Sequence, residues 1–491
     1  MAVGTIVTFA VYFVLLLGTG FYFYRKSVSI EDYLLGGRKM GAWVTALSAQ
    51  ASDMSGWLLM ALPGAVYLAG MGQAWIAIGL FIGTVLNWLF VSRRLRVYTQ
   101  KTGSITLPCF FEERFGDPTG SLRIVSAIVI LIFFTIYASS GLVATGKLFE
   151  STFGVSYESA VIVGGGIIIV YTFLGGFLAV CWTDLIQGLL MVIALVAVPL
   201  IAYFNVGGYT AVAEAMSLKG ISASLFDGGE SGTVMNTLAI GSAMAWGLGY
   251  FGQPHILARF MSAKSLLKLK ESMVIAIVWV FISLAGAVIV GLIGIAMFDG
   301  LRGGDQEKVF IYMIQQLLGP WLAGVMLAAI LSAIMSTIDS QLLVSSSALT
   351  EDFYQKAVKR DAGEKEVIWV GRICVIIISV IALVLALKPS DTILGIVSYA
   401  WGGFGVAFGP LVLFALFSKK TGWQSALAGM VMGTVVLVIW KQVGLGERMY
   451  EIVPGFAANC LTIVLVNSVY RQTDDRILEQ FDWVVSKIHE K

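Results

Sequence analysis

The sequence predicts an all-α protein that crosses a membrane many times, and three observations support this fold class. The chain has 491 residues, of which 58% are hydrophobic and only 13% charged, and its mean hydropathy is +0.87. A soluble domain carries about 25% charged residues. Apolar stretches of roughly 20 residues, the length that spans a bilayer, recur along the chain. Two of them carry glycine and polar residues near their centres, which predicts interrupted membrane helices.

We count about thirteen candidate spans, with connections too short for a soluble domain. They cover residues 3–24, 41–69, 71–92, 122–147, 158–180, 183–206, 236–257, 273–298, 319–348, 367–387, 392–417, 422–441 and 450–470. The fifth and sixth candidates are weakly divided. Gly175, Gly176 and Asp184 mark the only plausible turn between them.

The first interrupted span contains the segment ALSAQASDMSGWLLMALPG at residues 46–64. Asp53 lies near its middle, and Ser55 and Gly56 follow. A carboxylate at the centre of a bilayer costs about 2.5–3.5 kcal/mol even on permissive insertion scales. Glycine in a membrane helix frees backbone groups that need partners in the protein or in a water-filled cavity. We therefore predict a break at about residues 51–56, with unwound backbone lining a site near the middle of the membrane.

The second interrupted span, 236–257, reads AWGLGYFGQP at its centre, and its glycines and proline predict a break at about 246–250. Each interrupted span begins a group of five, 41–206 and 236–417. An odd number of spans inverts the second group relative to the first. Matched interrupted helices in two halves are typical of an inverted-repeat transporter with its substrate site between the breaks. Because the chain has 55 glycines, one broken helix alone would be weak evidence.

A third segment, the span 319–348, carries Ser336 and Thr337 three and four residues after Ala333. Residues at this spacing share a helix face, so the two hydroxyls can converge with the Ala333 carbonyl. Na⁺ is a hard cation that prefers oxygen ligands, as Ca²⁺ does. Carbonyls from the unwound segment 51–54 would complete its shell. Serine and threonine also commonly bond within or between membrane helices, so a structural role stays open from these residues alone.

The distribution of basic residues predicts the orientation of the chain. Most of the 32 Lys and Arg residues, Arg25 and Lys26 among them, fall on one side of the predicted spans, while Lys219 and Arg302 fall on the other. The positive-inside rule then places the N-terminus outside and the C-terminus in the cytoplasm. The tail after Arg471 has apolar residues at helical spacing, which favours either a helix against the membrane face or a solvated helix.

The same residues argue against several other functional classes. Two histidines and four cysteines without paired spacing indicate neither a metal enzyme nor a disulfide framework. We see no nucleophile–base set and no phosphate loop, so we expect no enzyme. The basic residues are spread over short connections, which argues against a nucleic-acid partner. No obligate protein partner is evident, and matched interrupted helices disfavour a passive channel.

Four motifs resemble the sodium/solute symporter family over nearly the whole chain. They are LGGRKMG at 35–41, ASDMSGW at 51–57, WGLGYFGQPHILARFM at 246–261 and MSTIDSQLL at 335–343. The resemblance implies thirteen spans, of which spans 2–11 form the five-plus-five inverted repeat of the leucine transporter. One extra helix and a loop (1–40) would precede this repeat, and two extra helices and a cytoplasmic tail (418–491) would follow it.

The resemblance also implies site residues, position by position. The family's sodium ligands match the carbonyls of Ala51, Met54 and Ala333 and the hydroxyls of Ser336 and Thr337. The family's substrate positions match Ser55, Gly56, Tyr137, Trp246, Tyr250 and Pro254. Charged positions on which transport depends match Asp53, Arg38 and Asp184. Asp339 is a further acid to which the resemblance assigns no role.

The resemblance implies symport of L-proline with Na⁺ into a bacterial cell by alternating access across the plasma membrane. The proline carboxylate suits backbone N–H groups at the start of a half-helix near Ser55 and Gly56. Its secondary ammonium and its ring suit the aromatic faces of Trp246 and Tyr250. The open alternatives are another small organic solute, such as a sugar, pantothenate or another carboxylate, and proton coupling through one of the acids.

Overall fold

The chain folds into a helical membrane protein. The computed structural model describes residues 3–24, 30–174, 176–227, 235, 237–359 and 361–489. Nine helices of this described part are long and apolar enough to cross a membrane, and two more, Tyr157–Phe173 and Ile452–Asn467, are apolar but shorter. Thirteen spans stay a prediction, because length and apolarity alone do not assign short and interrupted helices to the membrane.

The described residues before 228 form eleven α-helices. They are α1 (Val3–Tyr24), α2 (Ile30–Leu35), α3 (Ala42–Asp53), α4 (Leu62–Ala69), α5 (Ala74–Leu86), α6 (Ser92–Thr102), α7 (Leu107–Phe115), α8 (Ser121–Phe153), α9 (Tyr157–Leu174), α10 (Phe177–Asn205) and α11 (Tyr209–Leu218). Because α10 begins at Phe177, Asp184 lies about two turns inside a helix and not in the turn that we expected it to mark. Gly175 lies outside the described residues.

The described residues after 236 form ten more. They are α12 (Thr237–Met244), α13 (Pro254–Ser262), α14 (Leu266–Met297), α15 (Val309–Leu317), α16 (Pro320–Ser347), α17 (Glu364–Leu387), α18 (Ile393–Phe417), α19 (Trp423–Gln442), α20 (Ile452–Asn467) and α21 (Asp475–His489). Two irregular segments matter for the site. The first break is Met54 and Ser55, which are non-helical between α3 and a π-helical turn, Trp57–Ala61. The second break is the 3₁₀ segment Ala245–Gly252 between α12 and α13.

Helix α16 lies at the centre of the molecule. It packs against α1, α3, α8 and α10, and every residue from Leu327 to Leu343 is buried. A helix buried on all sides must find protein partners for its polar side chains, since burying them unpaired is costly. The hydroxyls and the carboxylate of its middle turns are therefore held in place by the neighbouring helices.

Glycine contacts set the position of the second break. Gly83 on α5 lies so close to Gly247 that a Cβ on Gly83 would stand 2.5 Å from the Gly247 Cα. On the other side, a Cβ on Gly405 of α18 would stand 2.8 Å from the Gly249 Cα. Small residues allow membrane helices to approach this closely. The second break is therefore held between α5 and α18, backbone against backbone.

Helix α21 packs against the protein itself. Ile477, Phe481 and Val484 are at most 8% exposed. The Arg114 guanidinium lies 5.1 Å from the Phe481 ring, and Lys101 lies 4.8 Å from the Trp483 ring. The apolar face of the tail helix thus packs on α6 and against Arg114 of α7. We call the surface on which α21 packs the tail face.

Candidate functional site

Some backbone N–H groups of the first break are hydrogen-bonded within the break and to the end of α3. Asp53 ends α3, and Met54 turns the chain with φ −86° and ψ 82° while its N–H donates to the Gln50 carbonyl at 2.9 Å. The Ser55 N–H donates to the Asp53 carbonyl at 3.1 Å, and the Trp57 N–H donates to Ser55 Oγ at 3.4 Å. The Ser55 N–H, which we expected to be free for a substrate carboxylate, is therefore engaged within the break.

Asp53 is fully buried and joins the first break to two other elements. Its carbonyl accepts hydrogen bonds from Trp57 Nε1 at 3.0 Å and from the Tyr137 hydroxyl at 3.4 Å. Its Oδ2 accepts a hydrogen bond from the Tyr250 hydroxyl at 2.6 Å. Its Oδ1 accepts none from the described residues. The carboxylate therefore connects the two breaks and keeps one acceptor free.

Four oxygens of the predicted sodium set converge between α3 and α16. Ser336 Oγ lies 2.7 Å from the Ala51 carbonyl oxygen and 3.1 Å from that of Ala333. Thr337 Oγ1 lies 3.3 Å and 3.2 Å from the same two atoms. Two carbonyls and two hydroxyls form a set of hard oxygen donors, the kind that hard cations prefer. Met54, the fifth predicted ligand, is buried in the first break three residues beyond Ala51.

The second break is held by α18. Trp401 Nε1 donates to the Trp246 carbonyl at 2.8 Å, and the Trp401 ring meets the Tyr250 ring edge-on at 5.0 Å. Gln253 Nε2 donates to the Trp401 carbonyl at 3.2 Å. Sequence reasoning did not single out Trp401. The composition of its span gives no sign that it meets the second break, because the two segments lie far apart in the chain.

The second break borders a cavity at each of its ends. A cavity of about 240 Å³ is lined by Trp246 and Tyr450, among others, and the rings of these two residues lie 5.4 Å apart. A second, narrow cavity of about 20 Å³ is lined by Pro254, Thr106 and Asp352. Trp246 in the second break and Pro254 at the start of α13, two predicted substrate positions, therefore face different cavities.

Gly56 is the point where the first break meets α8 and α16. A Cβ at this position would stand 2.8 Å from the Ala144 Cβ and 3.3 Å from Ile334 Cγ1. The first distance is too short for real side chains, so any larger residue would separate these elements. Ile334 directly follows Ala333, a member of the convergent oxygen set. Glycine here lets the break approach α16.

Arg259 organises a buried polar network that sequence reasoning missed. Its Nη2 lies 3.3 Å from Asp184 Oδ2, and both side chains are fully buried. Arg259 also donates to Ser48 Oγ at 3.0 Å, to Ser340 Oγ at 2.5 Å and to the His255 carbonyl at 3.0 Å. Ser48 Oγ in turn donates to Asp184 Oδ2 at 2.6 Å. A buried arginine among membrane helices is a functional signal, yet Arg259 falls just beyond the predicted span 236–257, so sequence reasoning gave it no role.

Asp339 lies beside this network on α16. Its Oδ1 accepts a hydrogen bond from the Thr172 hydroxyl on α9. Its Oδ2 has no hydrogen-bond partner among the described residues. Asp339 is fully buried. It therefore links α16 to α9 and takes no part in the oxygen set around Ala333.

Arg38 lies apart from both breaks, in the turn before α3, with a positive φ of 53°. Its guanidinium donates to the carbonyls of Ser104 at 2.7 Å and Met261 at 3.1 Å. It also pairs with Glu31 at 3.2 Å. Burial lowers the pKa of Arg38, and the Glu31 carboxylate opposes this shift. Arg38 fixes the start of α3 to the ends of α6 and α13.

Comparisons with known proteins identify the family to which this chain is similar. The model of the sodium:solute symporter family matches residues 33–433. The chain is 48% identical to the sodium/proline symporter of Salmonella typhimurium (strain LT2), covering 98% of this chain and 96% of that protein. It is 47% identical to the high-affinity proline transporter PutP of Bacillus subtilis (strain 168), covering 94% and 98%.

Two solved structures share the fold. One is a Na⁺-coupled sialic acid symporter in a substrate-bound outward-open state, with a TM-score of 0.78, 18% identity, and coverage of 96% of this chain and 98% of that one. The other is MhsT in complex with L-phenylalanine, with a TM-score of 0.57, 14% identity, and coverage of 87% and 98%. At these identities the likeness concerns the fold alone. It confirms the leucine-transporter-like architecture that the motifs imply.

Proposed function

The chain belongs to the sodium:solute symporter family, and we propose that it moves L-proline into the cell together with Na⁺ by alternating access. Relatives that match almost the entire chain at 47–48% identity are named as proline transporters. The observation that supports the proposal is the convergence of four oxygens between α3 and α16, from Ala51, Ala333, Ser336 and Thr337.

Sodium at this place would couple the two helices. The carbonyls of Ala51 and Ala333 and the hydroxyls of Ser336 and Thr337 would hold it, and the Met54 carbonyl would complete the set. A ligand shifts an equilibrium only by its differential affinity for the two states. Because the donors come from α3 and α16, they surround a cation only when these helices lie together. Sodium would therefore favour the conformation in which the first break is closed against α16.

The proline site would lie between the two breaks. The residues we assign to it are Ser55, Gly56, Tyr137, Trp246, Tyr250 and Pro254. The proline carboxylate would face the N-terminal end of the helix that starts after the first break, where the helix dipole is positive. The ammonium and the ring would meet the aromatic side chains of the second break.

Asp53 would transmit sodium binding to the proline site without ligating the cation itself. Its carboxylate holds Tyr250 of the second break, and its carbonyl accepts hydrogen bonds from Tyr137 and Trp57. Asp184 would act through Arg259 by fixing α3, α10, α13 and α16 to one another. Arg38 would hold the start of α3. These charged residues would set the geometry in which cation and solute bind together.

The energetics allow concentrative uptake. One charge that falls through a potential of 100 mV yields about 2.3 kcal/mol. A tenfold sodium gradient adds about 1.4 kcal/mol. With one Na⁺ per proline, the total could sustain an accumulation on the order of several hundredfold, since each 1.4 kcal/mol corresponds to about a tenfold ratio.

We place the protein in the bacterial plasma membrane, with its N-terminus outside and the tail face in the cytoplasm. Arg25 and Lys26, which support this orientation, lie outside the described residues. We divide the thirteen proposed spans into an N-terminal part, two inverted repeats and a C-terminal part, at residues 1–40, 41–206, 236–417 and 418–491. The proposal includes no catalysed reaction, no nucleic-acid partner and no obligate protein partner.

The test is uptake of labelled proline into proteoliposomes that contain the purified protein. An inward sodium gradient should drive accumulation, and a negative interior potential should increase it. Unlabelled proline should compete strongly, whereas sugars, pantothenate and other carboxylates should compete weakly. If one of those solutes competes strongly, that solute and not proline would be identified as the substrate. Uptake that persists without sodium and grows at low external pH would instead establish proton coupling.

A further inference from the structure

Trp401 on α18 makes three different contacts with the second break. Its indole Nε1 donates to the Trp246 carbonyl at 2.8 Å, its ring meets the Tyr250 ring edge-on at 5.0 Å, and its own carbonyl accepts from Gln253 Nε2 at 3.2 Å. The side chain is only 1% exposed. Its indole also leaves no room for a side chain at Gly249. A Cβ built on Gly249 would have three indole atoms as its nearest neighbours.

The contacts of Trp401 reach the two aromatic residues that the proposed proline site depends on. The Trp246 carbonyl belongs to a 3₁₀ segment and receives its hydrogen bond from the indole. The Tyr250 ring is held on one side by Trp401, while its hydroxyl donates to Asp53. A shift of Trp401 would therefore move the aromatic wall of the site.

Helix α18, which carries Trp401, is held in place by close packing on its neighbours. Phe404, one turn after Trp401, packs against Phe134 and Phe133 of α8 with ring centroids 4.3 Å and 5.8 Å away. Gly405 lies against Gly249 at backbone distance. The indole is thus attached to a helix that packs on both α8 and the second break. None of the contacts of Trp401 described above involves the oxygens of Ala51, Ala333, Ser336 or Thr337.

We propose that Trp401 is a positioning residue for the substrate: it fixes the Trp246 backbone and the Tyr250 ring in the arrangement that binds proline. This inference rests on the proposed function. It predicts that the affinity for proline changes while the affinity for sodium does not. Replacement of the indole by a smaller ring leaves the Trp246 carbonyl without its donor and reduces the packing that fixes the Tyr250 ring, so proline binding weakens. The sodium set between α3 and α16 keeps all of its oxygens.

The experiment measures sodium-driven proline uptake by Trp401→Phe in proteoliposomes. The half-saturating proline concentration should rise about tenfold, the scale expected when a buried acceptor loses its partner. The half-saturating sodium concentration, measured at saturating proline, should change less than twofold. Trp75→Phe is the matched control, since the Trp75 indole also donates to a carbonyl, that of Leu225 at 2.8 Å, outside both breaks. It should retain the wild-type values.

A second variant tests the contact without removing the indole. Gly249→Ala should displace the Trp401 ring and raise the half-saturating proline concentration in the same way. In the double variant Trp401→Ala, Gly249→Ala, the absence of a ring leaves room for the new Cβ, so proline affinity should be no worse than in Trp401→Ala alone. Additive losses in the double variant would overturn the proposal, as would an unchanged proline affinity in a folded Trp401→Phe protein. A wild-type protein without sodium-driven proline uptake would overturn the proposed function, and this inference with it.

Discussion

The Tyr250 hydroxyl donates a hydrogen bond of 2.6 Å to Oδ2 of Asp53, and this bond joins the two broken helices directly. Both side chains are almost completely buried. Hydrogen bonds to charged groups are worth about 1.5–3 kcal/mol, more than neutral ones. The residue that ends α3 beside the proposed sodium set therefore also orients an aromatic wall of the proposed proline site. This one contact offers a physical basis for coupling between cation and solute.

Removal of the Tyr250 hydroxyl should impair coupling. Tyr250→Phe leaves neither carboxylate oxygen of Asp53 with a hydrogen-bond donor from the described residues, at a cost of about 1–3 kcal/mol. We expect weaker proline binding and a higher sodium requirement together, because the lost bond joins both sites. Uptake kinetics at varied sodium and proline measure both effects. Tyr157→Phe is the control, since the Tyr157 hydroxyl donates to the Ala386 carbonyl away from both breaks. Wild-type kinetics in Tyr250→Phe would remove this bond from the mechanism.

Loss of the Thr337 hydroxyl should raise the sodium requirement specifically. Thr337→Ala removes one oxygen of the convergent set but leaves the second break intact. We expect the half-saturating sodium concentration to rise tenfold or more, while proline affinity at saturating sodium changes little. A sodium dependence equal to the wild type would exclude Thr337 from the site.

Two variants control for the Thr337 experiment. Thr337→Ser restores the hydroxyl without the methyl group and should recover most of the sodium affinity. Thr145→Ala removes an equally buried threonine whose hydroxyl donates only within α8, to the Gly141 carbonyl at 2.9 Å. It should leave the sodium dependence unchanged.

Enlarging Gly56 should separate the first break from α16. A Cβ there would stand 2.8 Å from the Ala144 Cβ, and relief of that overlap should move the break away from the oxygen set. Gly56→Ala should lower the sodium-driven uptake rate at least tenfold. The compensating variant Gly56→Ala, Ala144→Gly should restore part of it, and a double variant as inactive as the single one would contradict this account. Gly166→Ala is the control, because nothing lies within 4 Å of a Cβ at that position.

The Arg259–Asp184 pair should show strong energetic coupling. Loss of either partner leaves the other charge buried and unpaired, which costs about 3–5 kcal/mol. Arg259→Gln and Asp184→Asn should each lower the thermal midpoint of the purified protein markedly, and the double variant should lose less than both effects added. The exposed pair Lys268–Glu271, at 2.8 Å, is the control, since surface pairs contribute only about 0–1 kcal/mol. Additive losses at Arg259 and Asp184 would argue that the two act independently.

The sequence predicted the fold class and the place of the first break well. Apolar composition and span length force a helical membrane protein, because the bilayer core offers no partner to an exposed backbone. Asp53 and the residues after it are incompatible with an unbroken apolar helix, and α3 does end at Asp53. The spacing of Ser336 and Thr337 behind Ala333 likewise fixes that their hydroxyls share a helix face. These features are local, so they can be predicted from the residue pattern alone.

The polar network around Arg259 could be predicted from the sequence only in part. Asp184 is visible as a charge within an apolar span, whereas Arg259 lies just beyond the predicted span 236–257. No local pattern states that the two pair, or that Ser48 and Ser340 complete the network. Such partners are 75 to 211 residues apart along the chain. The Ser55 N–H shows the opposite case, since a group that looked free in the sequence is engaged by the Asp53 carbonyl. Satisfaction of buried polar groups is a property of the packed structure.

The sequence by itself therefore determined which segments are helical and where two of these helices are interrupted. It also determined which oxygens share a face of α16. What only the tertiary structure decided is which elements meet: Ala51 with Ser336, Tyr250 with Asp53, and Trp401 with the second break. The physical reason is that helix formation and breakage follow from local backbone chemistry, whereas these contacts depend on how close glycine-lined helices can approach across the membrane.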